Sequence, residues 1–239
     1  MERVYPSAGG GHRVVTAECP GVKQGSEKSL CVVDGTLYYQ GLGGVYAFDG
    51  SMPRQVGGAL DGMELSCAVG GGREGRYYLS AQSREGWVLL VYDTKRGFWH
   101  REDALEAVDF ARRGEELFCL TAAGEIWALR GSEGEKEREL SWEAESGDFG
   151  LDSPEHKYPQ RLRLRLQLES GTAAEALLSY DGGQTWESQG KLWGAGGVQA
   201  GLLHLRPRRA AQVRWKLRGS GGGTLYSVSA VYGKGSDEV

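Results

Sequence analysis

Acidic side chains are the first residues that could do chemistry. Asp148, Asp152 and Glu155 crowd one short stretch, Gly147–Glu155. Carboxylates so close could coordinate Ca²⁺, or act as the acid and base pair of a glycosidase. Their spacing is not the regular ligand spacing of a calcium loop, so an acidic turn is expected and no metal. The histidines His12, His100, His156 and His204 are scattered, with no HxH or HxxxH pairing. No serine sits in a Gly-x-Ser-x-Gly elbow. Gly70–Gly72 and Gly221–Gly223 lie between apolar runs with no following helix or Lys-Ser/Thr, which argues against a phosphate loop. Cys19, Cys31, Cys67 and Cys119 form no CxxC pair; the last three sit in apolar runs and are expected as buried free thiols. The expectation is a protein that is not an enzyme, with no catalytic residue, cofactor or metal.

Two other groups could bind. Ser179-Tyr-Asp-Gly-Gly-Gln-Thr-Trp186 fits the pattern Ser-x-Asp-x-Gly-x-Thr-Trp. This resembles the Asp-box of sialidases and other families, a hairpin closed by Asp side-chain bonds with Trp packed beneath. The residues concerned are Ser179, Asp181, Gly183, Thr185 and Trp186. Their chemistry suits that role: Asp181 can accept from turn amides, Gly183 can take a positive φ, and Trp186 brings apolar area. Nothing resembles the arginine triad or tyrosine nucleophile of a sialidase, so a structural hairpin is expected. The second group is aromatic. Trp193, Trp215 and Tyr226, with Trp87 and Trp99 nearer the N-terminus, could form a sugar platform if exposed, although core packing is the commoner fate of such residues.

The elements that must position these residues read as strands. Leu37–Gly50 spells a strand, a glycine turn, a second strand and an Asp-Gly exit, and similar stretches begin at Arg76 and Glu116. The aromatic centres Tyr38, Tyr78 and Phe118 are spaced by 78 − 38 = 40 and 118 − 78 = 40 residues. A constant step of about 40 residues with strand chemistry inside it is the mark of propeller blades. The first blade is expected as Ser29–Val33, a hairpin at Asp34-Gly35, Thr36–Gln40, Val45–Phe48 and Arg54–Val56. The second is Glu64–Val69, Arg76–Ala81, Trp87–Asp93 and Gly97–His100. The third is Ala107–Phe110, Glu116–Thr121, Glu125–Leu129, with Glu139–Glu143 as its last strand or the crossover. A helical turn competes over Asp103–Ala111. Residues 1–28 read as an irregular lead-in with one strand at Arg13–Ala17. Three blades fall short of the four or more that a closed propeller typically needs, so open flanks are expected.

The charged, glycine-bearing stretch Gly131–Arg138 marks a boundary, dividing the chain into 1–135 and 136–239. Beyond it Arg161–Leu168 alternates strictly, four leucines against Arg and Gln, the pattern of a strand with one buried face. Its polar side could be a basic stripe for nucleic acid; in an acidic chain a solvated outer face is the expectation. Further short strands at Glu175–Tyr180, Trp186–Ser188, Gly201–Leu205, Gln212–Leu217 and Leu225–Tyr232 suggest a β-sandwich, jelly-roll-like or Ig-like.

Composition agrees with an all-β chain. Glycine makes up 39 of 239 residues, as many tight turns require. The net charge of −4 gives no sign of general binding to nucleic acid or anionic membrane. No apolar run is long enough to span a membrane, and no signal-peptide core follows Met1.

Gly44–Pro53 and Tyr92–His100, with Gly147–Gly150, Lys157-Tyr158, Arg206–Arg209, Gly219–Gly221, Leu225–Val228 and Gly235–Asp237, resemble propeller proteins encoded in phages and prophages of Gram-positive bacteria. The likeness covers the chain from about Gly21 onward. It implies a partial, three-blade propeller followed by a β-sandwich, the C-terminal portion of a longer protein. It also implies a non-enzymatic virion component of the tail or head–tail region, found in the virion or the host cytoplasm and working by assembly with other subunits or itself. The alternative is a carbohydrate- or host-receptor-binding module using exposed aromatics. A propeller-type glycosidase is the third reading. No nucleic-acid or membrane partner is expected.

Overall fold

A computed structural model describes residues 2–16, 18–129, 141–148, 157–206, 208–210 and 212–234. It is nearly all β, with no α-helix among these residues and two single turns of 3₁₀ helix, at Glu27–Ser29 and Gly58–Leu60. The chain divides into two compact units, Met1–Gly134 and Glu135–Val239.

The N-terminal unit begins with a hairpin of β1 (Glu2–Pro6) and β2 (His12–Thr16). This corrects the expected irregular lead-in with one strand. Ser7 and Gly10 close the turn through Ser7 N to Gly11 O and Gly10 N to Ser7 O bonds, and Gly10 takes φ 83°, so the Val-Tyr and Val-Val runs on either side can pair. Three antiparallel sheets follow. The first contains β3 (Cys31–Val33), β4 (Thr36–Gly41), β5 (Gly44–Phe48) and β6 (Arg54–Gln55) in chain order. Asp34 and Gly35 both have positive φ, 48° and 80°, the demand of a two-residue hairpin whose twist matches its strands. The second contains β7 (Ser66–Arg73), β8 (Arg76–Ser83), β9 (Gly86–Asp93) and β10 (Phe98–Asp103). The third has β11 (Ala107–Arg113), β12 (Glu116–Thr121) and β13 (Ile126–Leu129). Strand, not helix, therefore occupies Ala107–Ala111.

The second sheet is buried on both faces. Tyr77, Leu79, Val88, Leu90 and Tyr92 join Tyr38 and Val45 of the first sheet in one core, where Tyr38 and Tyr77 stack at 5.3 Å. Tyr78, Leu89 and Val91 face the other way and meet Leu117 and Phe110 of the third. Gly70–Gly72 make this possible. They lie inside β7 rather than between strands, because both neighbouring sheets press on it. A Cβ at Gly70 would stand 2.3 Å from the Ser29 carbonyl oxygen, one at Gly71 2.6 Å from the Phe110 ring, and one at Gly72 2.7 Å from Cys31 Sγ. Cys119 is fully buried, and burial pushes its thiol up to about 11. Cys67, expected inside, is exposed: it sits at the β7 bulge with φ 51°, where the pairing register slips.

The C-terminal unit has two antiparallel sheets over one core. β14 (Ser141–Glu145), β16 (Ala173–Ser179), β17 (Glu187–Trp193) and β19 (Arg214–Ser220) form one sheet, in the order β14-β19-β16-β17. β15 (Lys157–Leu168), β18 (Val198–His204) and β20 (Gly223–Lys234) form the other, in the order β18-β15-β20. Leu162, Leu164, Leu166 and Leu168 point inward against Ala174, Ala176, Leu178 and Leu217, while Arg161, Arg163 and Arg165 stay exposed. The stretch expected to finish the third N-terminal sheet belongs here instead. β14 pairs with β19 from Ser141↔Ser220 to Glu145↔Lys216, because Trp142 packs against this core and donates Nε1–H to the Gly221 carbonyl at 3.0 Å.

Candidate functional site

The outward face of the β14-β19-β16-β17 sheet carries a groove of about 680 Å³. Register builds it. Cross-strand pairing places Glu143, Arg218, Glu175 and Lys191 opposite one another, one from each strand, so a single row crosses the sheet with charges alternating in sign. Arg218 donates through Nε to Glu175 Oε2 at 2.8 Å, and Ser188 donates its hydroxyl to Glu175 Oε1 at 2.7 Å. The Ser188 bond first, then the Arg218 bond, hold the Glu175 carboxyl below the ordinary range. Beside this row the lining residues Ser141, Ser220, Gly171 and Ala173 are small and open the floor.

Trp193 forms the end wall. It pairs with Ala173, so its ring stands on the groove side of the sheet, and it remains 67% exposed. Its backbone is held on the C-terminal side. Gln199 Nε2 donates to the Trp193 carbonyl at 2.7 Å, and only glycine fits at 194, where a Cβ would lie 2.0 Å from the Glu169 carbonyl oxygen. Gly190, at φ 133° next to a register slip, lets β17 run past the expected end at Ser188 as far as Trp193.

The other expected platform residues are elsewhere. Trp215 pairs with Leu178 and packs into the core, with its backbone N–H on Ser146 Oγ at 3.0 Å. Tyr226 lies on the outer face of the other sheet, its hydroxyl donating to Gln167 Oε1 at 3.2 Å. Trp99 packs against the N-terminal core and donates to the Val56 carbonyl at 2.7 Å. Trp193 is thus separated from the two residues expected beside it.

Ser179, Asp181, Gly183, Thr185 and Trp186 lie in the β16–β17 connection. Asp181 accepts from Ser179 Oγ at 2.7 Å, from Thr185 N–H at 2.9 Å and from Thr185 Oγ1 at 2.5 Å. The Thr185 bonds and then the Ser179 bond hold its carboxyl far below the ordinary range. Gly183, at φ 94°, donates to Ser179 Oγ and accepts from Trp186 Nε1 at 3.1 Å. Lys216 Nζ stands 4.3 Å from the Trp186 ring centre and bonds Glu143 and Glu145 at 2.9 and 3.1 Å. Desolvation opposes the Lys216 charge, but those carboxylates outweigh it and raise the amine. The hairpin groups of Ser179, Asp181, Gly183, Thr185 and Trp186 are consumed in holding one another.

Of the three crowded carboxylates, Asp148 is fixed by Arg214 at 2.7 and 2.9 Å, which lowers it. Asp152 and Glu155 lie outside the described residues. No group of three His, Cys, Asp or Glu residues suited to a metal occurs among the described residues, nor does any helix long and apolar enough to cross a membrane.

No protein-family model and no curated protein matches the chain, so neither comparison bears on the resemblance to phage-encoded proteins. Solved structures do match. An exo-β-1,3-galactanase from Phanerochaete chrysosporium, crystallised with galactose, is 11% identical with a TM-score of 0.26, over 80% of this chain and 65% of that one. A glycoside hydrolase family 43 arabinoxylan arabinofuranohydrolase from Bacillus subtilis, in complex with cellotetraose, is 10% identical with a TM-score of 0.23, over 97% of this chain. The chain spans 65% of the length of each. These neighbours are glycoside hydrolases where a virion structural protein was expected, and the virion reading is dropped. At such TM-scores the likeness carries neither activity nor substrate to this chain.

Proposed function

We propose that the C-terminal unit is a non-catalytic carbohydrate-binding β-sandwich, preceded by three consecutive blades of a partial propeller. The observation that carries this reading is Trp193, anchored through its backbone and left exposed at the end of a groove floored by small residues. An indole face offers a flat apolar surface to the C–H side of a pyranose ring. The adjoining row alternates acceptor and donor, Glu143, Arg218, Glu175 and Lys191, matching hydroxyls that both donate and accept. The signs cancel along the row, so the ligand that fits is a neutral sugar.

Glu175 supports the non-catalytic part of this reading. A general acid must hold a proton near neutral pH. Glu175 is instead kept ionised by Ser188 and Arg218.

A glycan array tests this with the full chain and Trp193→Ala. The intact protein is expected to bind neutral oligosaccharides without releasing reducing ends, and the variant to lose at least about tenfold in affinity, as truncated aromatic anchors do. Equal binding by both proteins, or none by either, would overturn the reading.

A further inference from the structure

The opposite face of the C-terminal unit has the reverse electrostatic design. Its centre is β15, which sets Arg161, Arg163 and Arg165 in line on the outward side. Alternate residues of a strand stand about 6.6–6.8 Å apart, so these three guanidinium groups form a regular positive row. On the first sheet each basic residue of the groove row faces a carboxylate. Here the cross-strand partners are neutral or weakly basic. Arg161 faces His204 and Val231, Arg163 faces Leu202 and Ser229, and Arg165 faces Ala200 and Ser227. β15, β18 and β20 together contain no Asp or Glu. Arg161 and Arg163 make no ion pair among the described residues. Arg165 is engaged, with its guanidinium 5.6 Å from the Tyr226 ring centre.

Like charges ranged along one strand repel, and opposite-charge pairs across strands are what ordinarily stabilises a sheet. A row that forgoes such partners, in a chain of net charge −4, is matched to an external anion. Its linear spacing suits a polymer with regularly repeated anionic groups better than a single compact ion. Guanidinium forks bind carboxylates and sulfates in two-pronged fashion.

We infer that the outer face of the β18-β15-β20 sheet binds an acidic polysaccharide along Arg161, Arg163 and Arg165. Single-stranded nucleic acid fits less well, because it needs successive aromatic faces for its bases. Among the described residues of these three strands the exposed aromatic ring is that of Tyr226, already covered by Arg165. Ser227, Ser229 and His204 instead place hydrogen-bonding groups beside the arginines, as a hydroxyl-rich chain requires. The site is independent of the Trp193 groove, on the other sheet.

Affinity electrophoresis of the full chain tests it, with gels containing polygalacturonate, dextran sulfate or neutral dextran, and with dT20 single-stranded DNA as competitor. Retardation is expected in at least one of the two anionic gels and not in dextran, weakening as salt rises. Each single Arg→Gln change should weaken it about two- to fivefold, as for exposed ion pairs, and R161Q/R163Q/R165Q together by tenfold or more. Trp193→Ala should leave it unchanged, so failure here and failure of the groove read out separately. The inference is overturned if the triple variant is retarded like the wild type, if neither anionic gel retards the protein, or if dT20 displaces it at lower concentration than polygalacturonate does.

Discussion

Asp181 and Trp193 are separated by a short connection and one strand, yet have opposite fates. Asp181 is spent on structure, with both carboxylate oxygens taken by Ser179 and Thr185. Its folded pKa is depressed, so the stability it contributes is fully present above the unfolded value of about 3.9. That stability is lost as pH falls through the folded value. Thermal melts should therefore show a lower Tm for Asp181→Asn at pH 7 and a shallower fall in Tm on acidification below about pH 4. An acid limb as steep as that of the wild type would show that the Asp181 bonds contribute nothing. The spelling Ser-x-Asp-x-Gly-x-Thr-Trp made this hairpin legible, since each residue type names its own bond. Trp193 was legible as an aromatic but not as the exposed one, because burial depends on which side of which strand it stands. Trp215 has the same chemistry and points into the core.

At the scale of elements, alternation carried the most information. Four leucines at every second position of 162–168 could bury only one face, and that face is the core of the C-terminal unit. The glycine run in β7 carried the least. Three glycines look like a turn, and only the approach of two neighbouring sheets shows why a strand needs them. Gly70→Ala tests this, since its Cβ would meet the Ser29 backbone and not a movable side chain. Urea denaturation should show a loss of about 1–3 kcal/mol, the usual cost of overpacking. Gly58→Ala, with open space around it, should change little. Equal effects from both would deny that sheet contact fixes the Gly70 backbone. The placement of β14 was likewise beyond sequence reach: its alternation suits either unit, and only the packing of Trp142 beneath Gly219 assigns it.

For the molecule as a whole, the 40-residue step and the change of texture after residue 130 were readable, whereas the biological role drawn from resemblance was not upheld. Charge sorting within the C-terminal unit is the property that sequence totals conceal. One sheet balances acid against base across its groove, and the other gathers arginines with no acid in its strands. On the proposed reading the two opposite faces take two different ligands, a neutral sugar and a polyanion. The most direct test of the central claim follows the indole N–H signals of the seven tryptophans by NMR during titration with a neutral oligosaccharide taken from the array. The signal that vanishes in Trp193→Ala is predicted to shift with saturation while that of core-packed Trp215 stays in place. If sugar moves other indoles and leaves Trp193 still, the groove is not where this protein holds its ligand.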